Sequence, residues 1–333
     1  MSIEPRIETV DDASARAGDW RAVRDALRYP LVDDSAPPPG LRAMFAHQGG
    51  APVARLAIGI AEDMSVAHPP AGFVGWYEAT DAGAGAELLR SARKALYGAG
   101  ARCVIGPMNG STWGRYRLAL RAAAEDPQGT PPFLSEPWNP PDYPDHFRSA
   151  GFQPTISYES RLVLASPVGG SDFAAVRLLE RGIRVRGLDP GAFDAELRGI
   201  FELSLAAFAA NPFYTPISFA EFRMRYEAIR PLLDPELVRL AHDDHDRLVA
   251  FVFAFSDPCA PPGFPRIILK TLATDPAARG LGLGGFLTDE VGRVAGERGA
   301  AVIHALMQSS NISKRISSHH DSALFRRYAL FAS

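Results

Sequence analysis

Cysteine is nearly absent from this 333-residue sequence, with Cys103 and Cys259 the only two. A chain this long has enough core without a bridge, so both are read as buried free thiols rather than as a disulfide scaffold. A charge excess is also missing: 35 Lys and Arg stand against 38 Asp and Glu, for a net −3. That leaves no global basic field to hold nucleic acid or an anionic membrane. Long apolar runs are lacking too. The longest, such as Leu248 to Phe255, have strand length and fall well short of the ~20 residues that cross a bilayer. Met1 to Arg6 show neither the basic start nor the apolar core of a signal peptide. A cytoplasmic protein with no nucleic-acid and no membrane partner is expected.

What is abundant is glycine (30) and proline (28), within a chain that is 47% hydrophobic and 22% charged. These values describe a soluble globular protein with many turns and short elements. Its length favours two domains over one.

The two halves read alike. In the first, a short amphipathic segment from Trp20 to Leu31 precedes strands at 41–47, 52–60 and 72–79. Leu88, Leu89, Ala92, Ala95 and Leu96 recur at helical spacing, and Gly98 and Gly100 end that helix. The short strand Cys103 to Ile105, a turn-rich stretch, a helix from Tyr143 to Ala150 and a strand from Thr155 to Leu164 complete the half. After the linker-like Ser166 to Gly170, the second half starts with a strand at Ile183 to Arg186 and helices over 192–209 and 218–230. A hairpin turns at Asp243 to Asp246, and a strand runs from Arg266 to Ala273. Leu283, Leu287, Val291 and Val294 then form a buried helical stripe, and Ala301 to Met307 returns as a strand. Mixed antiparallel and crossover segments fit a duplicated α/β (α+β, mixed-sheet) unit better than a Rossmann sheet or a barrel. The expected division is 1–165, a linker or connecting helix at 166–182, and 183–333.

The chemistry-bearing feature is the run Arg279 to Gly284, which follows a strand and opens a helix. Unpaired amides, the positive helix end and the small glycines make a phosphate cradle, and Arg279 adds a planar cation. Three readings compete. Gly280, Gly282 and Gly285 satisfy the dinucleotide pattern G-x-G-x-x-G, but the next strand, Ala301 to Met307, ends without the acidic residue that would hold a ribose. A Walker loop lacks its Gly-Lys-Ser/Thr. The third reading matches throughout: Arg279-Gly280-Leu281-Gly282-Leu283-Gly284 fits R/Q-x-x-G-x-G/A and resembles the signature of the GNAT-type N-acetyltransferases.

That resemblance, extended by strand order over roughly 183–333, implies two GNAT-like acyl-CoA N-acyltransferase domains in tandem. It places the pyrophosphate of acetyl-CoA, or of another acyl-CoA, on Arg279, Gly280, Leu281, Gly282, Leu283 and Gly284. It places the pantetheine arm on Leu272, Ala273 and Thr274. Asn311, with Ser313 beside it, is matched to the family's cofactor-contacting asparagine. The family's usual tyrosine acid is missing from Lys314 to His320, and Tyr328 is the nearest candidate, although an aromatic on a terminal strand is also an ordinary core residue. His319 and His320 read as a solvated pair, with no ligand cluster for a metal in view. Glu202 and Glu221 are weak candidates for a base against a plain surface role. Asn211, Phe213 and Tyr214 resemble the acceptor-side lip or form a rigid helix connector, and the loops at 106–113 and 136–141 are candidates to line a pocket between the domains or to pack its edges. In the first half, Asp81 to Ala86 has glycines but no arginine, so that half resembles a degenerate copy. The implied reaction is acyl transfer by direct attack of a small-molecule or protein amine. The alternative is a non-catalytic acyl-CoA binder or sensor. Self-association as a homodimer stays open on the sequence alone.

Overall fold

The computed structural model describes residues 4–27, 36–61, 70–121, 130–164, 171–309 and 322–333. The first half contains β1 (Arg6–Val10), α1 (Ala17–Leu27), β2 (Arg42–Gln48), β3 (Ala51–Ala61) and β4 (Ala71–Ala79). It continues with α2 (Ala82–Gly98), β5 (Cys103–Gly106), β6 (Leu118–Leu120), α3 (Tyr143–Ser149) and β7 (Gln153–Val163). After α4 (Ser171–Leu179) come β8 (Arg184–Gly187), α5 (Phe193–Phe208), α6 (Phe219–Glu227), β9 (Val238–His242) and β10 (Leu248–Ser256). The last elements are β11 (Arg266–Thr274), α7 (Leu283–Glu297), β12 (Ala301–Gln308) and β13 (Ser322–Ala332). Among the described residues, both halves show antiparallel strands followed by a strand–helix–strand unit.

Both halves share one sheet, ordered β1-β2-β3-β4-β5-β13-β7-β12-β11-β10-β9-β8, with β6 paired to β13. Only β4–β5 and β11–β12 are parallel; the other pairs are antiparallel. The middle of the sheet is an exchange. β13, late in the chain, sits between β5 and β7 of the first half, while β7 sits between β13 and the second half's β12. The β13–β7 ladder runs from Ser322↔Val163 to Ala332↔Gln153. The halves are therefore joined through backbone hydrogen bonds as well as through α4.

Period-two patterning explains the packing of the second half. Along β10, Phe251, Phe253 and Phe255 belong to the core under α5 and α6, while Ala250, Val252 and Ala254 face α7. With both faces covered, the strand reads as an unbroken apolar run. Burying each phenylalanine contributes about 2–3 kcal/mol. The predicted stripe Leu283, Leu287, Val291 and Val294 is buried along α7. In the first half α2 and α3 cover one face through Leu88, Leu89, Ala92 and Phe147, and α1 covers the other through Trp20. Cys103 and Cys259 are free and half-buried.

Candidate functional site

The parallel pair β11–β12 runs in register from Arg266↔Ala301 to Leu269↔His304 and then stops, although β11 continues to Thr274 and β12 to Gln308. Two local irregularities force the strands apart. On β11, Lys270 falls at the register shift opposite Phe253 and Ala254, a bulge that bends the strand. On β12, the pairing with β7 shifts between His304 and Met307, and Leu306 adopts φ 57°. Leu306 is held there: its amide donates to Ser160 Oγ (2.9 Å), and its carbonyl accepts from Arg117 Nη1 (3.3 Å). Beyond Leu269, then, one edge of β11 has no strand partner among the described residues, and its peptide groups there can bond an extended ligand.

At the outer end of this splay the chain turns into α7. Asp275 Oδ1 accepts from the Ala277 amide (2.8 Å), capping a single 3-10 turn, and exposed Arg279 follows. Gly280 and Gly282 take φ 88° and 81°, values that a residue with a Cβ adopts only at a cost. No atom lies within 4 Å of where a Cβ would stand on Gly280, Gly282 or Gly285. Helix α7 has no side-chain cap and no acidic residue in its first turn. Phe286 is the first residue whose amide reaches back into the turn, to Gly282 O (3.1 Å). The amides of Leu283, Gly284 and Gly285 are left at the positive end of the helix with no hydrogen-bond partner among the described residues.

The first half has the same elements and no such opening. Its parallel pair ends at Phe73↔Ile105, while β4 runs on to Ala79. The loop after β5 fills the gap: the Met108 amide donates to Val74 O (2.8 Å), and Asn109 Oδ1 accepts from the Trp76 amide (2.7 Å). A Cβ on Gly75 would overlap the Met108 carbonyl, so glycine there serves close backbone approach. The start of α2 is occupied by its own anion, because Asp81 Oδ1 accepts from the Ala84 amide (2.7 Å). Gly85, in the same segment, leaves room for the Tyr77 hydroxyl.

A cavity of about 740 Å³ opens between the halves. The second half contributes Tyr214, Arg225, Tyr226 and the inner end of the splay, including Leu269 to Leu272 and His304 to Gln308. The first half contributes Trp76, Asn109, Trp113, Arg117, Trp138 and Tyr158. The two sides are pinned together. Trp113 Nε1 donates to Thr215 O (2.7 Å), and the Trp113 ring meets Tyr214 and Phe222 at 5.9 and 5.6 Å. Arg225 Nη1 donates to Trp113 O (2.8 Å). The Arg117 guanidinium lies against Tyr116 (3.9 Å) and Tyr158 (4.1 Å). Burial pushes the Tyr158 hydroxyl well up and those of Tyr214 and Tyr226 to about 12. Lys270 is open to the water of the cavity yet ringed by protein. That setting, with Arg117 and Arg225 nearby, holds its ammonium below the ordinary lysine range.

Of the residues singled out from the sequence, Leu272, Asn211 and Tyr214 line this cavity, as do the loops containing Pro107, Asn109, Trp113 and Pro137 to Pro140. Ala273 is buried beneath the sheet, and Thr274 pairs with Ala250 at the end of β11. Arg279 to Gly284 lie together in the turn past β11, with Leu281 packed on the α7 core. Phe213 instead joins the cluster of Phe73 and Ile105. Glu202 is exposed on α5, and Glu221 is engaged in a capping box with Ser218. Asn311, Ser313, His319 and His320 lie outside the described residues.

Tyr328 is not a cavity residue. It is fully buried in β13, with its hydroxyl donating to Glu136 Oε1 (2.5 Å) and bonded to Ser160 Oγ (3.1 Å). Arg326 Nη1 donates to the same carboxylate (2.9 Å). Burial raises Glu136 to about 7 against the opposing pull of Arg326, Tyr328 and the Phe133 amide. Sequence reasoning missed Arg117, Arg225 and Lys270. The available signal was Lys270 itself, a charge interrupting the apolar strand Arg266 to Ala273.

No protein-family profile matches the chain. A mycothiol acetyltransferase from Beutenbergia cavernae is 30% identical over 159 residues, covering 47% of this chain and 51% of that protein. The chain thus spans about half the length of the curated relative it matches. Among solved structures, a GCN5-related N-acetyltransferase from Sphaerobacter thermophilus superposes with TM-score 0.53 at 15% identity, covering 100% of this chain and 96% of that one. A tandem GNAT protein from the clavulanic acid biosynthesis pathway superposes with TM-score 0.51 at 13% identity, covering 98% of each. The fold is that of the GCN5-related N-acetyltransferases. It is present here as a tandem pair, and among the described residues the splay and glycine turn are unfilled in the second copy alone.

Proposed function

We propose that the protein is an acyl-CoA-dependent N-acyltransferase, with the cofactor bound by its second half and the acceptor amine entering the cavity between the halves. The observation that carries this reading is the pairing, in one half only among the described residues, of an unpartnered strand edge with a glycine helix start that has no side-chain cap. Arg279 to Gly284 and the first-turn amides of α7 suit a pyrophosphate in charge and in room. The free edge of β11 around Leu272 to Thr274 suits the amide-bearing pantetheine arm. Acetyl-CoA, when bound, supplies an acyl group already activated as a thioester.

The chain's own residues then orient and shield. Trp113, Tyr214 and Tyr226 wall the inner end of the splay, where β11 and β12 part, and present apolar faces with hydroxyls that stay protonated at neutral pH. Asn211 and Tyr214 line the acceptor side. Tyr328 acts as a positioning residue: its hydroxyl fixes Ser160, whose Oγ accepts from the Leu306 amide that holds β12 open. A second reading, an acyl-CoA binder that transfers nothing, draws on the same burial of Tyr328 away from the cavity.

Calorimetric titration with acetyl-CoA, CoA and NAD tests the proposal. CoA species should bind and NAD should not. Gly282→Trp should abolish binding, and Arg279→Ala should weaken it about tenfold, the loss expected for one charge-assisted hydrogen bond. Absence of CoA binding, or binding untouched by Gly282→Trp, overturns the assignment. Binding without thiol release in the presence of any of a panel of amines favours the second reading.

A further inference from the structure

The cavity between the halves is unbalanced in charge. Arg55, Arg115, Arg117, Arg225 and Lys270 line it, and Glu78 is its only acidic residue among those described. Glu78 is engaged elsewhere, taking Arg55 at 2.5 Å and Arg24 at 3.2 Å. Arg117, Arg225 and Lys270 have no carboxylate partner among the described residues. Arg117 is only 9% exposed. It is steadied by two tyrosine faces and the Leu306 carbonyl, and its buried Nε has no hydrogen-bond partner. Arg225 is fixed on the Trp113 carbonyl. Lys270 is carried on the β11 bulge into the same space, close enough to both arginines for them to disfavour its charge.

Cations gathered in a walled cavity, one of them buried, cost free energy unless an anion joins them. Surface lysines and arginines escape this cost in water; Arg117, 9% exposed, does not. The phosphates of a CoA are poorly placed to be that anion. Lys270 follows Leu269, the last paired residue at the closed end of the splay, while the glycine turn lies past Thr274, roughly 13 Å further along the strand.

Resting on the proposed acyl transfer, we infer that the acceptor is a small amine that also carries an anionic group, a carboxylate or a phosphate, held by Lys270, Arg225 and Arg117. The arrangement works as a positioning device. The anion is anchored beside the point where β11 and β12 part, so the amine at the other end of the acceptor is aimed at the thioester end of the splay. A neutral or cationic amine enters the same cavity without that anchor and against its field.

Matched acceptors test this. With saturating acetyl-CoA, thiol release is followed for amino acids against their carboxamides, and for aminoalkyl phosphates against the corresponding amino alcohols. The anionic member of each pair should be favoured at least tenfold in kcat/KM, and the pair with the larger ratio identifies the anion. Lys270→Gln and Arg225→Gln should each shrink that ratio at least threefold. Both are open to the cavity or to solvent, so their replacement leaves the core intact, whereas Arg117→Gln removes a packed side chain. In parallel, inorganic phosphate is titrated against the fluorescence of the wild type and both variants, because Trp76, Trp113 and Trp138 line the cavity. A saturable change that weakens at least tenfold in the variants is expected; phosphate taken at the glycine turn would be indifferent to them. Equal use of neutral and anionic acceptors, or a phosphate response unchanged in both variants, overturns the inference. If no amine in the panel reacts, the phosphate titration alone decides. Failure of acetyl-CoA to bind strikes the proposed function instead, since neither variant nor phosphate enters that measurement.

Discussion

The two halves carry the same strand–turn–helix device and use it oppositely. In the second half β11 and β12 part with no strand between them among the described residues, and α7 begins without a side-chain cap. In the first, the corresponding gap is filled by Met108 and Asn109, and α2 begins on the carboxylate of Asp81. A ligand site of this kind is thus made by leaving backbone groups unsatisfied. It is closed by the least change that satisfies them: one loop and one aspartate. In the first half these groups are satisfied internally, and the same loop supplies Trp113 and Arg117 to the cavity wall.

The contrast can be broken at several points. The largest effect should come from the buried pair that ties the halves. Arg326→Ala leaves Glu136 without its cation and should cost about 3–5 kcal/mol, read as the urea midpoint at pH 8, above the Glu136 value of about 7. Disturbing the plug comes next. Gly75→Ala pushes a methyl into the Met108 carbonyl and should destabilise by about 1–3 kcal/mol. Acetyl-CoA affinity should be unaltered by it, because the second half's turn is elsewhere. Giving the second half a carboxylate of its own tests the electrostatic side of the comparison. Gly282→Asp should lower acetyl-CoA affinity about tenfold by calorimetry, within the range of helix-end charge effects. The smallest effect is the reverse change: Asp81→Ala should cost about 1 kcal/mol of stability and confer no second acetyl-CoA site by the same titration, since the filled splay remains. A binding stoichiometry of two in that variant would show that the cap alone, and not the loop, had closed the first site.

Much of this was legible in the sequence wherever the signal is local. The glycine turn at 279–284, the stripe of α7 and the run of β10 each announce themselves within a few residues, because helix starts and two-faced strands have short periods. The failures share a different origin. Nothing near Met108 says that it fills a splay; that depends on Gly75, far away in the chain, letting two backbones meet. Tyr328 read as a candidate acid because it lies near the expected place in sequence, and its environment is set by Glu136 from the other half. Arg117 and Arg225 carry no local signal, since only tertiary folding brings them to one cavity with Lys270. Lys270 alone carried a local hint, a charge within an apolar strand.

The exchanged strand bears on how such a protein can be assembled and what it can lose. Tyr97 donates to the carbonyl of Ser333, 236 positions away, and β13 must reach β5 and β7 before the centre of the sheet exists. Contacts so distant in sequence slow folding and must await late synthesis. They also make the first half hard to discard. With its own splay filled, it still serves as the template on which β13 is laid, so the half without an opening remains indispensable to the sheet that carries the glycine turn.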